Sequence, residues 1–210
     1  MLPTPGISGL ALESQERTLW GGGRACEAER VYYEQFSIAN PLSVSYSDSS
    51  PGGGAKRMRG VFTMKIAIAC DHGGFHLKEH IKKYLTEKGI EIVDHGTYNE
   101  DSVDYPDFAE KLCKDITSGE SGAERGILIC GTGIGISIAA NKCKGIRAAL
   151  CADVFSAKMS REHNNANVLC MGERTTGVGL AEMITDTWLE TEFAGGRHQR
   201  RVDKIMALEK

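Results

Sequence analysis

The sequence predicts an α/β fold: a Rossmann-like, doubly wound three-layer sandwich built on a five-stranded parallel sheet. Three observations carry this reading. Short apolar runs recur along the chain, amphipathic stretches of helical length separate them, and turns rich in glycine or charge follow their C-terminal ends. Runs that are apolar throughout suit parallel strands covered on both faces. Right-handed crossovers between them place helices on either side of the sheet.

Each element can be justified in order. "KIAIAC" (65–70) is the first strand. In "HLKEHIKKYLTEKG" (76–89), Leu77, Ile81, Tyr84 and Leu85 share one helix face and Gly89 ends the helix. "IEIVDHG" (90–96) is the second strand. "DYPDFAEKLCKDITSG" (104–119) carries Phe108, Leu112 and Ile116 at helical spacing. "GILIC" (126–130) is the third strand, and "IGISIAANK" opens the third helix. "IRAALCA" (146–152), a helix over 154–163 and "NVLCMG" (167–172) continue the alternation. In "LAEMITDTWLE" (180–190), Leu180, Met183, Ile184, Thr187 and Trp188 are expected on the core face. A last helix over about 197–209 carries Val202, Ile205 and Met206.

The chain has 210 residues, with 41% hydrophobic and 25% charged, enough for one good-sized soluble domain. A net charge of −3 argues against a general nucleic-acid or anionic-membrane binder. No apolar run approaches the ~18 residues needed to span a bilayer. The seven cysteines are odd in number and none form C-x-x-C, which disfavours a zinc ribbon or redox pair. A reduced, cytoplasmic setting fits them. Residues 1–63 are rich in Ser, Gly and Pro and lack periodicity, so they read as a disordered N-terminal extension, with a targeting or regulatory arm as the other reading. Met64 then opens the folded domain, 64–210.

In such sheets the site lies beyond the carboxyl ends of the strands. That rule selects "CDHGG" (70–74), "CGTGIGIS" (130–137), "CADVFS" (151–156) and "MGER" (171–174). The glycine loop is the most informative. A dinucleotide fingerprint needs a third small residue where Ile136 stands, and it normally follows the first strand. A P-loop is excluded because the loop has no G-K-[ST]. What remains is a cradle of backbone N–H groups at a helix N-terminus, suited to a phosphate or to an oxyanion formed during reaction. Cys130 stands directly before it, as a structural cysteine or as a base.

From Met64 onward the chain resembles the type B ribose-5-phosphate isomerases, a family that includes the galactose-6-phosphate isomerases. The resemblance rests on "IACDHGGFHLK", "DYPDFA", "ILICGTGIGISIAANK", "GIRAAL", "SREHNNANVLCMGER" and "GGRHQRRVDKI". It implies an aldose–ketose isomerase that interconverts ribose 5-phosphate and ribulose 5-phosphate through an enediolate, in the non-oxidative pentose phosphate pathway. A six-carbon sugar phosphate is the alternative substrate, and a non-catalytic phosphosugar sensor the alternative from another class. The chemistry needs no metal, nucleotide or redox cofactor.

The resemblance also implies the roles. Family members use either a cysteine at the strand end or a glutamate in the loop as base. Here Cys130 is present and Ile136 occupies the glutamate position, so this chain resembles the cysteine type. A free cysteine, with a pKa of about 8.5, needs a helix terminus or cation beside it to act at neutral pH. The amides of Gly131, Gly133 and Gly135 and the Thr132 hydroxyl would hold the enediolate. His163 matches the ring-opening histidine, and Asn164 donates to sugar hydroxyls. Asp71 and Tyr105 match positions near the sugar. His72, Arg174, Arg197 and Arg201 match the phosphate ligands. The resemblance implies a homodimer, or a dimer of dimers, with shared sites and a C-terminal helix that reaches the partner. His72, His76 and His80 recur every four residues, but His72 precedes the helix and no fourth ligand is evident, so a metal is not expected.

Overall fold

The structure, a computed structural model, describes residues 64–209. The expectations for residues 1–63 lie outside the described residues. In chain order the elements are β1 (Lys65–Cys70), a 3₁₀ turn (His72–Gly74), α1 (Phe75–Glu87), β2 (Glu91–Asp94), α2 (Tyr105–Ser118), β3 (Arg125–Cys130), α3 (Ile134–Ala140), β4 (Ala148–Leu150), α4 (Val154–Glu162), β5 (Val168–Gly172), α5 (Val178–Glu190) and α6 (Arg197–Met206).

All strand pairings are parallel, and the order is β2-β1-β3-β5-β4. The chain steps one way from β1 to β2 and then the other way to β3. That reversal opens a crevice at the carboxyl ends of β1 and β3, where ligands bind in open sheets of this kind.

Two cores flank the sheet because side chains alternate along each strand. On one face Ile66, Ile68, Ile127, Ile129, Leu169 and Met171 meet α1, α4 and α5. On the other, Ala67, Ala69, Leu128 and Val168 meet α2 and α3. The second face uses small residues, and α2 lies close to it. A β-carbon at Gly126 would come within 2.7 Å of Leu112 Cδ2.

The expected core stripe of α5 is shifted. Ala181, Ile184, Thr185, Trp188 and Leu189 are buried, whereas Leu180 and Met183 are exposed. Leu180, Met183, Ile184, Thr187 and Trp188 span an apolar arc wider than the buried seam, and packing on β5 selects its other edge. Ile205 of α6 is likewise exposed, and Val202 alone of that helix's predicted apolar set is fully buried. Among the described residues, no helix is long and apolar enough to cross a membrane.

One buried cation pins the β1 side. The Lys78 Nζ on α1 is fully enclosed, donating to both Asp94 oxygens at 3.0 Å and to the Thr97 carbonyl at 2.7 Å. Burial would push the Asp94 carboxyl up. Hydrogen bonds from Lys82, the Gly96 N–H and Lys78 outweigh it and hold the carboxyl below its ordinary value.

Candidate active site

At the end of β1 the backbone turns sharply. Asp71 caps the 3₁₀ turn, its Oδ1 accepting the Gly73 N–H at 2.9 Å. A β-carbon at Gly74 would lie 2.6 Å from the Ile129 carbonyl, so only glycine lets this turn press against β3. Gly73 in turn abuts the Gly131 amide. His72 Nδ1 accepts the Val103 N–H at 3.3 Å, which ties the turn to the segment that leads into α2.

The glycine loop at the end of β3 is locked to β5. The carbonyls of Cys130 and Gly131 accept the N–H groups of Glu173 and Arg174 at 2.9 and 3.0 Å. Gly133 has φ +76°, in the left-handed region, and packs against Leu150 and the Met171 backbone, so a side chain there meets both strain and collision. Gly133 is also the N-cap of α3, and its N–H donates to Cys130 Sγ at 3.1 Å. The sulfur thus faces a backbone donor at the start of α3.

The neighbouring cysteines are buried more deeply. Burial pushes the Cys70 thiol up to about 12 and Cys151 up to about 11, and it drives Cys170 well above its ordinary value. None of these could serve as a base near neutrality.

Other predicted residues converge here. The Arg174 guanidinium lies over Gly131, 3.4 Å from where a β-carbon would be. The Tyr105 ring covers Gly135, whose β-carbon would come within 2.8 Å of Cζ. Thr132 is exposed at the loop's crest, its hydroxyl oxygen accepting the Ile134 N–H at 3.3 Å. Burial raises the Asp71 carboxyl above its ordinary value, against the opposing pull of His72, the Gly73 N–H and Arg174. Asp71, His72, Tyr105, Cys130–Gly135 and Arg174 therefore lie together as one cluster of amides, a thiol, an imidazole and a guanidinium. It can abstract a proton and stabilise the oxyanion that results.

The ribose/galactose isomerase family matches residues 66–205. The chain belongs to that family. It is 51% identical over 145 residues to ribose-5-phosphate isomerase B of Escherichia coli strain K12, covering 69% of this chain and 96% of that protein. Among solved structures, ribose-5-phosphate isomerase B of Clostridium thermocellum matches with a TM-score of 0.68 at 56% identity, covering 70% of this chain and 97% of that one. The Mycoplasma genitalium enzyme, solved with bound ribulose-5-phosphate, matches with a TM-score of 0.66 at 44% identity, covering 70% and 96%.

For this isomerase-family chain, the remaining predicted residues lie elsewhere. His163 caps the C-terminus of α4, and residues 164–167 lead from it to the amino end of β5. Asn164 is exposed beside it, lining a hollow with Arg147, Ser160 and Ile205. Arg197 and Arg201 are exposed on α6, which approaches the same end through a hydrogen bond from the Ala194 N–H to the Glu162 carbonyl at 3.0 Å. Cys130 pairs with Gly172 at the carboxyl end of the sheet. The nine residues of α4 run back along the sheet for about 14 Å. One chain thus holds two groups of predicted site residues at opposite ends.

The histidine stripe is divided among separate partners. His72 accepts from Val103, His76 lies 3.5 Å from Glu100, and His80 is 2.7 Å from Glu182. Two residues escaped the sequence reading. Glu173 Oε2 accepts the Leu77 N–H at 2.9 Å and so joins the end of β5 to the first turn of α1. His198 stacks on His163. Both lay inside quoted stretches, but nothing in their spacing marks a long-range contact.

Proposed function

We propose that the protein is an aldose–ketose isomerase that interconverts ribose 5-phosphate and ribulose 5-phosphate. The observation that carries this is Cys130 Sγ, which accepts the Gly133 N–H at 3.1 Å at the foot of the glycine loop. In the forward direction the Cys130 thiolate removes the proton from carbon 2 of the open-chain aldose and returns it to carbon 1, while the proton of the 2-hydroxyl passes to the oxygen on carbon 1. Negative charge that moves onto the two oxygens of the enediolate is met by loop amides and by Thr132. Asp71 and Tyr105 flank the sugar.

His163 opens the furanose by moving a proton between the ring oxygen and the anomeric hydroxyl, a task suited to imidazole. Asn164 holds sugar hydroxyls. His72, Arg174, Arg197 and Arg201 bind the phosphate, and this remote binding energy orients the reacting carbons.

Proton transfer requires contact at hydrogen-bond distance, and the span of α4 keeps His163 from Cys130 within one chain. The working unit is therefore a homodimer, or a dimer of dimers, in which the α4–α6 end of one copy completes the cleft of another. The cysteines among the described residues are all free thiols, which suits a reducing cytoplasm.

Incubation with ribose 5-phosphate, without metal or nucleotide, should yield ribulose 5-phosphate. Clear binding without turnover would reject the isomerase in favour of a phosphosugar sensor, and preferential turnover of a six-carbon aldose phosphate would reject the substrate. Mixing inactive Cys130→Ala and His163→Ala variants tests the assembly. Subunit exchange should restore activity, because a mixed dimer has one cleft free of both lesions. Exchange confirmed by mass without recovered activity rejects shared sites.

A further inference from the structure

We propose that His198 is a positioning residue for ring opening, holding the His163 imidazole by stacking flat against it; this rests on the ring-opening role proposed for His163. The two ring centroids are 4.2 Å apart and their planes differ by 3°. His163 sits half-buried at a helix end, its side chain 38% exposed. His198 is buried, so it supplies a fixed wall. A proton shuttle needs a ring nitrogen aimed at the substrate oxygen, and a face-on stack restrains the ring plane while leaving its edge free.

The surroundings keep the wall neutral. Arg197 Nε donates to His198 Nε2 at 3.3 Å, so the neutral ring carries its hydrogen on Nδ1. Burial lowers the basicity of His198, and His163, Arg197 and Arg201 push it the same way, against Glu162. Glu162 also lies 3.7 Å from His163 Nε2 and 4.0 Å from Lys158 Nζ. A neutral neighbour lets His163 take up a proton without like-charge repulsion. The same guanidinium that would bind phosphate thus also sets the hydrogen position on His198.

The test uses the full chain and exploits a property of the ketose. Ribulose 5-phosphate cannot close a furanose, because its 5-hydroxyl is esterified. Exchange of its carbon-1 hydrogen in D₂O therefore reports Cys130 chemistry alone, whereas net conversion to ribose 5-phosphate also uses ring closure. His198→Ala is expected to raise the ratio of exchange to conversion by roughly tenfold, within the ~100-fold that a 1 Å misplacement can cause. His198→Phe, which keeps a flat neutral ring, should return the ratio towards wild type.

Equal falls in exchange and conversion, or no change in either, would overturn the proposal. Should the alanine variant fail to fold, His198→Leu against His198→Phe decides, since equal ratios for the two remove any role for the stack. His163→Ala is measured alongside. A raised ratio there with none in His198→Ala overturns the positioning role alone. An unchanged ratio in His163→Ala overturns the ring-opening assignment and this inference with it.

Discussion

The two ends of the sheet are built from different materials. At the carboxyl end side chains surround a backbone loop whose amides are fixed by glycines at crowded positions and by hydrogen bonds to β5. At the amino end the groups are side chains, with Arg197, Arg201 and Asn164 exposed and the imidazole stack, to which Arg197 donates, as the restrained part. Charge that develops during reaction is best met by groups that need no reorganisation, which backbone amides provide. A phosphate is charged throughout, and long arginines can follow it. On the proposed assignment of the site, the contrast teaches that rigidity is concentrated where the bonding changes.

The most damaging way to break this contrast is to remove the base. Cys130→Ala should lower kcat by at least about 100-fold while substrate still binds, as a titration calorimeter would show. Retention of more than about a tenth of the turnover would remove Cys130 from that role.

A glycine pair separates the two ends next. Gly133→Ala adds to the ~1–2 kcal/mol strain of a left-handed residue a collision with Leu150 and the Met171 backbone. Both kcat and melting temperature should fall. Gly195 also has a positive φ, +62°, but a β-carbon there meets nothing within 4 Å. Gly195→Ala should show only the strain, with turnover close to wild type. Equal damage at both positions would end the claim that the loop end is the rigid one.

Two carboxylates sharpen the comparison through pH. Asp94 is held below its ordinary value, so its stabilisation is present above the unfolded pKa of about 3.9 and is lost as pH falls through the lower folded value. Asp94→Asn should therefore melt earlier near neutrality, with the gap closing in acid. Asp71 is raised, so its contribution is complete below about 3.9 and is lost as pH rises through the folded value. Asp71→Asn should melt later near neutrality and lose activity, and its gap too should close in acid. Melting curves between about pH 3 and 7 read both signs. Gaps of the same sign would contradict the assignment of Asp71 to a cleft built for function at the expense of stability.

The smallest effect is expected from deletion of residues 1–63. The family match begins at residue 66, so activity and melting temperature of the 64–210 chain should stay close to those of the full one. A large fall would reject the reading of that segment as an appendage.

Much of this was legible beforehand, for definite reasons. The inner strands β1, β3 and β5 are buried on both faces and leave continuous apolar runs, while the part-buried edge strands β2 and β4 were legible as shorter apolar stretches between helices. Cys130 and Gly131–Gly135 follow such a run directly, so their placement needed only the strand-end rule. The exposed Leu180 and Met183 were misread because helical period alone does not say which edge of a broad apolar arc meets the sheet. The contact of Glu173 with α1 and the stack of His198 on His163 join segments 96 and 35 residues apart. Local pattern carries no record of such pairs. The division of the site between two ends follows from the direction of α4, which spacing along the chain does not express.

The length of α4 has a further consequence on the shared-site reading. A lone chain then owns every required group and still has no complete site, so catalysis obeys mass action between chains as well as between enzyme and substrate. Specific activity should hold steady at high protein concentration and decline on dilution through the dissociation constant of the pair, with substrate opposing the decline because it binds only the assembled form.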